Sequence, residues 1–431
     1  MKPGIEAGEI GSKGDYQHRL VLHGEVHARP HELLETPFEA LHLALLTGES
    51  GAGEDQVHLA ELCRLLGVAV PEIEGNFQVL DLPGFRLRWE RHTEFSTWTL
   101  FRSGGFDQPF TSDLMGLLPA DWRQALPGQL LLVVRLALES ADREPEELDA
   151  YFKPSPRVGS RVMGGAATLW TDFRLHDDGM GRFLVHDWGL SKGQAGRLVQ
   201  RLFEIETYRM MALLALPKAR DTAPEATKLD RDLKAIVAEL ASPRESDDRQ
   251  LLERLTALAA ESERLGSATA YRFSAASAYY ALVRRRIEEL MEERISGVQT
   301  LGEFMERRLA PAMATCTSTS ERLSDLSARV ARAGDLLRTR VDIALEEKNR
   351  DLLHSMNRRA KLQLRLQETV EGLSIAAISY YLVGLVGYGA KGIKAAGIPI
   401  DPDMVQGLSV PVALALVALG LWRLKKHLHQ D

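Results

Sequence analysis

The spacing of apolar positions changes near residue 190. Before it, apolar and polar residues alternate in short runs bounded by turn residues, a pattern typical of strands. A covering helix is predicted over Glu54–Leu66, where leucines recur at helical spacing. The predicted strands are Ala40–Leu46, Phe85–His92, Glu94–Arg102, Gln129–Leu138, Ala166–Phe173 and Arg182–Trp188. Residues 1–190 are therefore expected to form an α/β domain.

From Ser191 onward helical periodicity replaces the strand pattern. Ser191 is a plausible N-cap for a first helix that ends near Leu216. The main expected interruptions are prolines, which lack the backbone donor that a helix interior needs. They are Pro217, Pro224, Pro243 and Pro311. Residues 191–371 are predicted to be a helical bundle with a long stalk helix.

The stalk helix is predicted from Ser318–Leu373, which contains no proline and only two glycines. At ~1.5 Å per residue it would be about 80 Å long. A heptad traced along it is apolar at six of ten positions, which indicates coiled-coil character but specifies an isolated dimer poorly. These positions are Val341, Leu345, Lys348, Leu352, Ser355, Arg359, Leu362, Leu366, Thr369 and Leu373. Packing against a preceding helix, Ala268–Leu309, or in an oligomeric bundle fits better.

Two uncharged apolar stretches of nineteen residues, Gly372–Ala390 and Met404–Trp422, lie close together near the C-terminus. As helices each would be about 28 Å long, close to the hydrocarbon thickness of a bilayer. They predict a transmembrane hairpin with an external loop at 391–403 and a basic tail at 423–431. The expected fold class is thus mixed α+β: a cytosolic α/β domain, a helical stalk and bundle, and a two-helix transmembrane hairpin. Because the stalk runs directly into the first span, motion or assembly in the body would reach the bilayer mechanically.

The flanking charges predict the orientation of this hairpin, because Lys and Arg beside a span are retained in the cytoplasm. Between the spans only Lys391 and Lys394 are basic, and Asp401 and Asp403 offset them. The outer flanks carry Arg350, Arg358, Arg359, Lys361 and Arg365 before the first span, and Arg423, Lys425 and Lys426 after the second. Both termini are expected in the cytoplasm, and the first twenty residues show no apolar signal-peptide core.

Composition narrows the function classes. A net charge of −7 argues against a nucleic-acid-binding surface, which needs a basic field. The two cysteines, Cys63 and Cys316, are far apart and have no metal-type spacing. They are expected to be reduced, buried thiols, as in a cytosolic compartment.

The first candidate chemical site is the segment HGEVHARPHE. It holds five potential metal ligands within ten residues: His23, Glu25, His27, His31 and Glu32. His23 and His27 would lie one helical turn apart, a spacing that zinc sites use. Pro30 prevents a continuous helix. The alternative is a turn in which the imidazoles hydrogen-bond to backbone or carboxylates.

The second candidate site is the predicted hairpin around WERHTE. On an extended strand His92 and Glu94 face the same side, so that they would bind a cation or hold a proton. The alternative is an ordinary cross-strand polar pair on a solvated sheet face. A run of Asp172, His176, Asp177 and Asp178 before Gly179 indicates a turn between strands. Serine-hydrolase, zinc-protease, Walker and dinucleotide motifs are absent from the sequence, so no enzymatic activity is expected.

The first span has a face of small residues. Such residues let helices approach closely in lipid, and Ser374, Ala377, Gly384 and Gly387 are the predicted packing seam. If copies of the chain surround an axis, the candidate pore mouth is formed by Gly387, Tyr388, Gly389, Asp401 and Asp403. The two aspartates would attract cations there.

Four motifs carry a resemblance to a known family: GEVHARP, RWERHTEFSTWTLF, TYRMMALLALP and RTRVDIALEEKNRDLLHSMNRRAKLQLRLQETVEGLSIAAISYYLVGLVGY. The chain is identified by them as a member of the bacterial membrane-anchored family called domain of unknown function 3422. That family implies location in the bacterial inner membrane and assigns no activity.

The architecture also resembles, more distantly, the CorA-type divalent-cation channels. Those are pentamers in which a cytosolic α/β domain is followed by a long helix that continues into the first of two spans. Their first span ends in a Gly-Met-Asn signature, whose asparagine helps to select hydrated magnesium. Here Gly387-Tyr388-Gly389 stands at that place, so the asparagine side chain is missing.

Three functions stay open from the sequence. The first is a non-enzymatic membrane anchor whose cytosolic body binds a partner or ligand. The second is an oligomeric divalent-cation channel or transporter, and the third is a metal-dependent enzyme that uses His27 and His92. The expected partners are the lipid bilayer and further copies of the chain, and a divalent cation is the candidate cofactor.

Overall fold

The computed structural model describes residues 19, 30–48, 52–72, 75–140, 143, 145–152, 156–242, 248–397 and 399–428. The chain forms two compact units, Met1–Ala333 and Gly334–Asp431. The predicted mixed α+β class is confirmed, because a sheet in the first unit is followed by long helices and by two apolar C-terminal helices.

The first unit is built on a sheet whose strand order is β2-β3-β4-β1-β5-β8-β7-β6-β9. Neighbouring strands are antiparallel except for β5 and β8, which are parallel. The strands are β1 (Phe38–Leu46), β2 (Phe77–Leu82), β3 (Phe85–Arg91), β4 (Phe95–Ser103), β5 (Gln129–Glu139), β6 (Val158–Val162), β7 (Ala167–Thr171), β8 (Gly181–Asp187) and β9 (Glu293–Arg294). All six predicted strands are present, with ends displaced by at most a few residues.

Three of the described helices lie between strands β1 and β6, and the others follow β8. In chain order the described helices are α1 (Ala52–Leu65), α2 (Ala120–Gln124), α3 (Pro145–Phe152), α4 (Lys192–Leu213), α5 (Ala215–Leu240), α6 (Asp248–Leu290), α7 (Leu301–Arg308), α8 (Ala310–Ala395) and α9 (Pro402–Leu428). The predicted N-cap is confirmed, since Ser191 and Gln194 form a capping box at the start of α4.

Two helical predictions were wrong. Pro224 does not interrupt a helix but lies inside α5, whose buried stripe includes Ala226, Leu229 and Leu233. Packing of that stripe offsets the hydrogen bond that the proline removes. Ala268–Leu309 is not one helix either. Met291 adopts a positive φ of 52° at the end of α6, and the next residues pair with β6 as strand β9.

The two faces of the sheet are covered by different helices. Alternation in β1 directs Leu41, Leu43 and Leu45 to the face that carries α1 and α2. Trp89, Trp98 and Trp122 belong to the same core. The opposite face is covered by α4, whose buried residues include Leu198, Leu202 and Phe203. At ~25 cal/mol per Å² of apolar area, these two buried layers dominate the stability of the sheet.

Helix α8 has 86 residues and its character changes along its length. In the first unit it buries Met313, Leu323 and Leu326. Every residue of 345–370 is exposed, including Leu352 and Leu362 of the predicted heptad. The two cysteines are confirmed as free, buried thiols.

Candidate functional site: a polar cavity and an apolar hairpin

A row of polar side chains lies on the α4 face of the sheet. Strand alternation places His42 of β1, Arg88 and Glu90 of β3, and Thr97 and Thr99 of β4 on this face. The strand register brings them together, because Thr99 pairs with both His42 and Arg88, and Thr97 pairs with Glu90. The three strands thus form one wall of a cavity.

Helix α4 forms the other wall. Its lining residues recur every three or four positions, which is one face of a helix. They are Gly196, Val199, Gln200, Phe203, Glu204, Thr207 and Tyr208. The cavity volume is about 50 Å³, which is space for a few water molecules rather than for an organic substrate.

His42 is fixed and uncharged in this cavity. Its Nδ1 lies 2.7 Å from the Thr99 hydroxyl and its Nε2 lies 3.0 Å from the Thr207 hydroxyl. The ring stacks on Phe203, with the centroids 4.5 Å apart. Burial, with a smaller contribution from Arg88 and His92, lowers the pKa of His42 to about 3. The neutral imidazole therefore donates one of these hydrogen bonds and accepts the other.

Arg88 is the buried cation of the cavity. Its Nη1 donates a hydrogen bond of 2.7 Å to the carbonyl of Pro30, and its Nε donates to the Glu90 carboxylate. Glu32 lies 4.0 Å from Nη1. The Nη2 atom is buried without a hydrogen-bond partner among the described residues, so it is a donor for a water or another small polar species in the cavity.

Only part of the predicted ligand set meets here. Glu32 and His92 both line the cavity, and His92 lies 3.8 Å from Glu90 and stacks on Phe95. His31 lies beside Arg197, with Nε2 and Nη1 3.4 Å apart. His23, Glu25 and His27 lie outside the described residues, so their proposed metal site stays a prediction.

Glu94 has two partners on another element. Its carboxylate accepts a hydrogen bond of 2.9 Å from Tyr279 and another from Arg272, both on α6. In the part of the chain that the structure describes, no group of three or more His, Cys, Asp or Glu side chains could hold a metal ion.

The sequence carries a signal for this cavity in the parity of β1. In the β1 sequence FEALHLALL, His42 occupies the same strand parity as the buried Ala40 and Ala44, which predicts an inward-facing imidazole. Arg88 has a comparable place in FRLRWER. Neither pattern indicates which helix packs on this face, because α4 begins about 150 positions after His42.

The second unit contains an apolar hairpin. Two helical segments, within Leu301–Ala395 and Pro402–Gly420, are long and apolar enough to cross a membrane. Only 11% and 6% of their apolar windows are buried by the rest of the protein. Among the outward-facing side chains are Leu385, Tyr388 and Leu408.

The two helices of the hairpin are in close contact at Gly387. A Cβ at this position would lie 2.7 Å from the side chain of Gln406 on α9. Ser379 and Ala390 are buried on the same helix, and Ala413 is buried on α9. Of the predicted seam, Gly387 is at the contact, whereas Ala377 is exposed and Gly384 faces open space.

The other predicted pore-mouth residues lie away from the contact between Gly387 and Gln406. Tyr388 is 75% exposed, and a Cβ at Gly389 would meet nothing within 4 Å. Asp401 caps α9, since its Oδ1 accepts a hydrogen bond of 3.1 Å from the Asp403 amide. An aspartate N-cap followed by a proline at the first helical position is a favoured helix start, which explains Asp401 and Pro402 without an ion. Asp403 is exposed.

A family model described as "Protein of unknown function (DUF3422)" matches residues 14–428. The chain belongs to the DUF3422 family. No curated protein matches the chain. The DUF3422 match covers the sheet, the long helices and the hairpin.

Proposed function

We propose that this DUF3422 protein is a membrane-anchored, non-enzymatic protein of the bacterial inner membrane. Its C-terminal hairpin would cross the bilayer twice, and its sheet and helical body would lie in the cytosol. The observation that supports this is the uncovered apolar surface of the hairpin, on which Leu385 and Leu408 are 70% and 69% exposed. Water would make such a surface costly, and hydrocarbon removes that cost.

The proposed orientation has both termini in the cytoplasm. Basic residues are concentrated before α8 enters its apolar part and at the end of α9, and the segment between the spans has a net charge of zero from Lys391, Lys394, Asp401 and Asp403. Lys and Arg counts of this kind favour retention of the outer flanks on the cytoplasmic side.

The polar cavity supports a structural role rather than catalysis. Its volume of about 50 Å³ is space for a few water molecules, and His42 is held neutral between two threonine hydroxyls. With a net charge of −7 the chain also lacks the basic field that a nucleic acid would require. We expect the cytosolic body to bind a partner or a ligand at the membrane surface.

Self-association is part of the proposal. Leu345, Leu352, Leu362 and Leu366 project from α8 at 59–66% exposure, and their heptad spacing fits an oligomeric bundle of α8 helices. We therefore propose a homo-oligomer.

Membrane fractionation and cysteine accessibility test the anchor. The full chain should stay in the membrane pellet after carbonate washing. In intact cells a membrane-impermeant maleimide should label a Lys394→Cys variant but not an Arg423→Cys variant, because the native Cys63 and Cys316 are buried. The double variant Leu385→Arg/Leu416→Arg should reduce the pelleted fraction, whereas the matched stalk variant Leu352→Arg should not. Recovery of the wild type in the soluble fraction would remove the proposal.

A CorA-like oligomeric divalent-cation channel or transporter is the second candidate function. It is favoured by the continuity of α8, a single helix of 86 residues that includes both the exposed stalk and the apolar segment. Native mass spectrometry in mild detergent would distinguish the candidates, because a pentamer supports the channel and a dimer favours the anchor. A monomer would contradict both the channel and the proposed self-association.

Ion flux into proteoliposomes tests the channel directly. Gly387→Leu is a poor probe, since the new side chain would collide with Gln406 and disturb the hairpin. Tyr388→Ala and Asp403→Asn change exposed candidate pore-mouth residues instead. Magnesium flux that exceeds the empty-liposome background and changes in these variants would support transport. Background flux in all three proteins would exclude it.

A further inference from the structure

A second and larger cavity lies within the first unit, next to the start of α8. It has a volume of about 390 Å³ and lies where the loop after β7 meets the C-terminal end of α4 and the α7–α8 junction. Its lining residues include Asp172, Phe173, Arg174, Arg209, Phe304 and Arg308. This volume is within the range of small-molecule sites in proteins.

The floor of this cavity is held in an unusual backbone conformation. Phe173 has a positive φ of 54°, which a bulky side chain rarely adopts. Its ring stacks on Phe304 of α7, with the centroids 4.7 Å apart, and the guanidinium of Arg209 lies 5.7 Å from the Phe173 ring. Backbone of this kind persists where its surroundings fix it, and it is found preferentially at binding sites.

The charge of the cavity is positive. Three arginines and one aspartate line it. Arg209 is paired with Glu206, at 2.7 and 3.0 Å, and the Asp172 carboxylate accepts the Arg174 amide at 3.1 Å and lies 3.3 Å from His176.

Two of the arginines keep their guanidinium groups available. In the described part of the chain no acceptor takes a hydrogen bond from the side chain of Arg174 or Arg308. Both side chains are exposed at the cavity. Planar guanidinium groups match the oxygen atoms of a phosphate or carboxylate in paired hydrogen bonds.

We propose that this cavity binds a small organic phosphate of mononucleotide size. Arg174 and Arg308 would hold the phosphate, and the rest of the ligand would lie against Phe304, Leu213 and Met305. Arg308 is the last residue of α7 and Leu309 immediately precedes α8, so the ligand would join the loop after β7 to the start of α8. This inference is independent of the membrane anchor, because every residue in it belongs to the first unit.

Isothermal titration of the full chain in detergent, with adenosine monophosphate as the probe, tests the site. We expect adenosine monophosphate to bind at least about tenfold more tightly than adenosine, which corresponds to about 1.4 kcal/mol. Arg174→Gln and Arg308→Gln should each weaken binding by about tenfold or more. Arg307→Gln is the matched control, since Arg307 is also exposed on α7 but does not line the cavity. Its affinity should equal that of the wild type.

The thermal unfolding of each variant is measured alongside, so that a folding defect is recognised; both substituted arginines are exposed and should leave it unchanged. Three results would overturn the proposal: no binding of adenosine monophosphate at millimolar concentration, equal affinities for adenosine monophosphate and adenosine, or an equal loss of affinity in Arg307→Gln.

Discussion

The hydroxyl of Tyr279 donates a hydrogen bond of 2.9 Å to the carboxylate of Glu94, which lies 185 positions earlier in the chain. This bond ties the turn between β3 and β4 to α6, and Arg272 on the same helix donates to the same carboxylate. Burial, together with the nearby Glu94 charge, raises the pKa of Tyr279 well above its ordinary value. The hydroxyl therefore remains a donor throughout the physiological pH range.

Removal of that hydroxyl should lower stability. Tyr279→Phe leaves the Glu94 carboxylate with one partner fewer, and hydrogen bonds to charged groups contribute about 1.5–3 kcal/mol. The matched control is Tyr271→Phe, because Tyr271 is exposed on the same helix. Thermal unfolding in detergent measures the difference. Equal melting temperatures for the two variants would show that the Tyr279–Glu94 bond contributes nothing.

The stability of the first unit should fall as the pH is lowered below neutrality. The pKa of His42 is about 3 in the folded chain, whereas an unperturbed histidine, as in the unfolded chain, has a pKa of 6.5. A lowered pKa means that the unfolded chain takes up the proton first, so stability is full above about pH 6.5 and decreases toward pH 3. At about pH 4.5 the free energy of unfolding is expected to be about 2–3 kcal/mol lower than at neutral pH.

Variants at two histidines identify the source of this pH dependence. His42→Gln should be less stable than the wild type at pH 7 but lose less stability on acidification. His354→Gln changes an exposed histidine on α8 and should follow the wild type. Identical pH profiles for wild type and His42→Gln would exclude the buried imidazole as the cause.

Two glycines in helices should respond in opposite directions to alanine. A Cβ at Gly196 would lie 1.7 Å from the carbonyl oxygen of Glu32, which is backbone and cannot turn away, so Gly196→Ala should cost about 3 kcal/mol or more. A Cβ at Gly266 would meet nothing within 4 Å, and Gly266→Ala should gain up to about 1 kcal/mol from helix propensity. Urea unfolding of both variants, compared with the wild type, measures the change in the free energy of unfolding and its sign. A neutral Gly196→Ala would contradict the described approach of Glu32 to α4.

A second glycine pair tests the hairpin. Gly387→Leu should separate α8 from α9 because the new side chain meets Gln406, and it should lower the melting temperature in detergent. Gly389→Leu, two positions later, extends into open space and should be tolerated. A larger destabilisation by Gly389→Leu than by Gly387→Leu would mean that the hairpin packs on a different face.

Local patterns predicted most of the elements of this fold. Alternation located β1, β4 and β5 to within a few residues, because each strand buries a complete apolar face. The two-residue strand β9 was not predicted. It exists only through its pairing with Ser160 and Arg161 of β6, and nothing within its own sequence indicates that partner.

The cavities could not be predicted from local patterns, because residues that are far apart in the sequence meet there. His42 and Thr207 are 165 positions apart, and their contact requires the sheet and α4 to be in place together. The predicted pairing of His92 with Glu94 rested on strand geometry alone, and it did not include α6. Glu94 lies in the turn between the strands, where Arg272 and Tyr279 of α6 donate hydrogen bonds to it. The Arg174–Arg308 site likewise joins two segments that the sequence separates by more than a hundred residues.

The exposed leucines of residues 345–370 affect how a C-terminally truncated chain would behave. Deleting the apolar hairpin removes one exposed apolar surface but leaves another on α8, because Leu352, Leu362 and Leu366 lie before the hairpin. Detergent that covers the hairpin alone would leave these leucines exposed. A truncated preparation is therefore expected to self-associate as its concentration rises, because contacts between copies would cover these leucines.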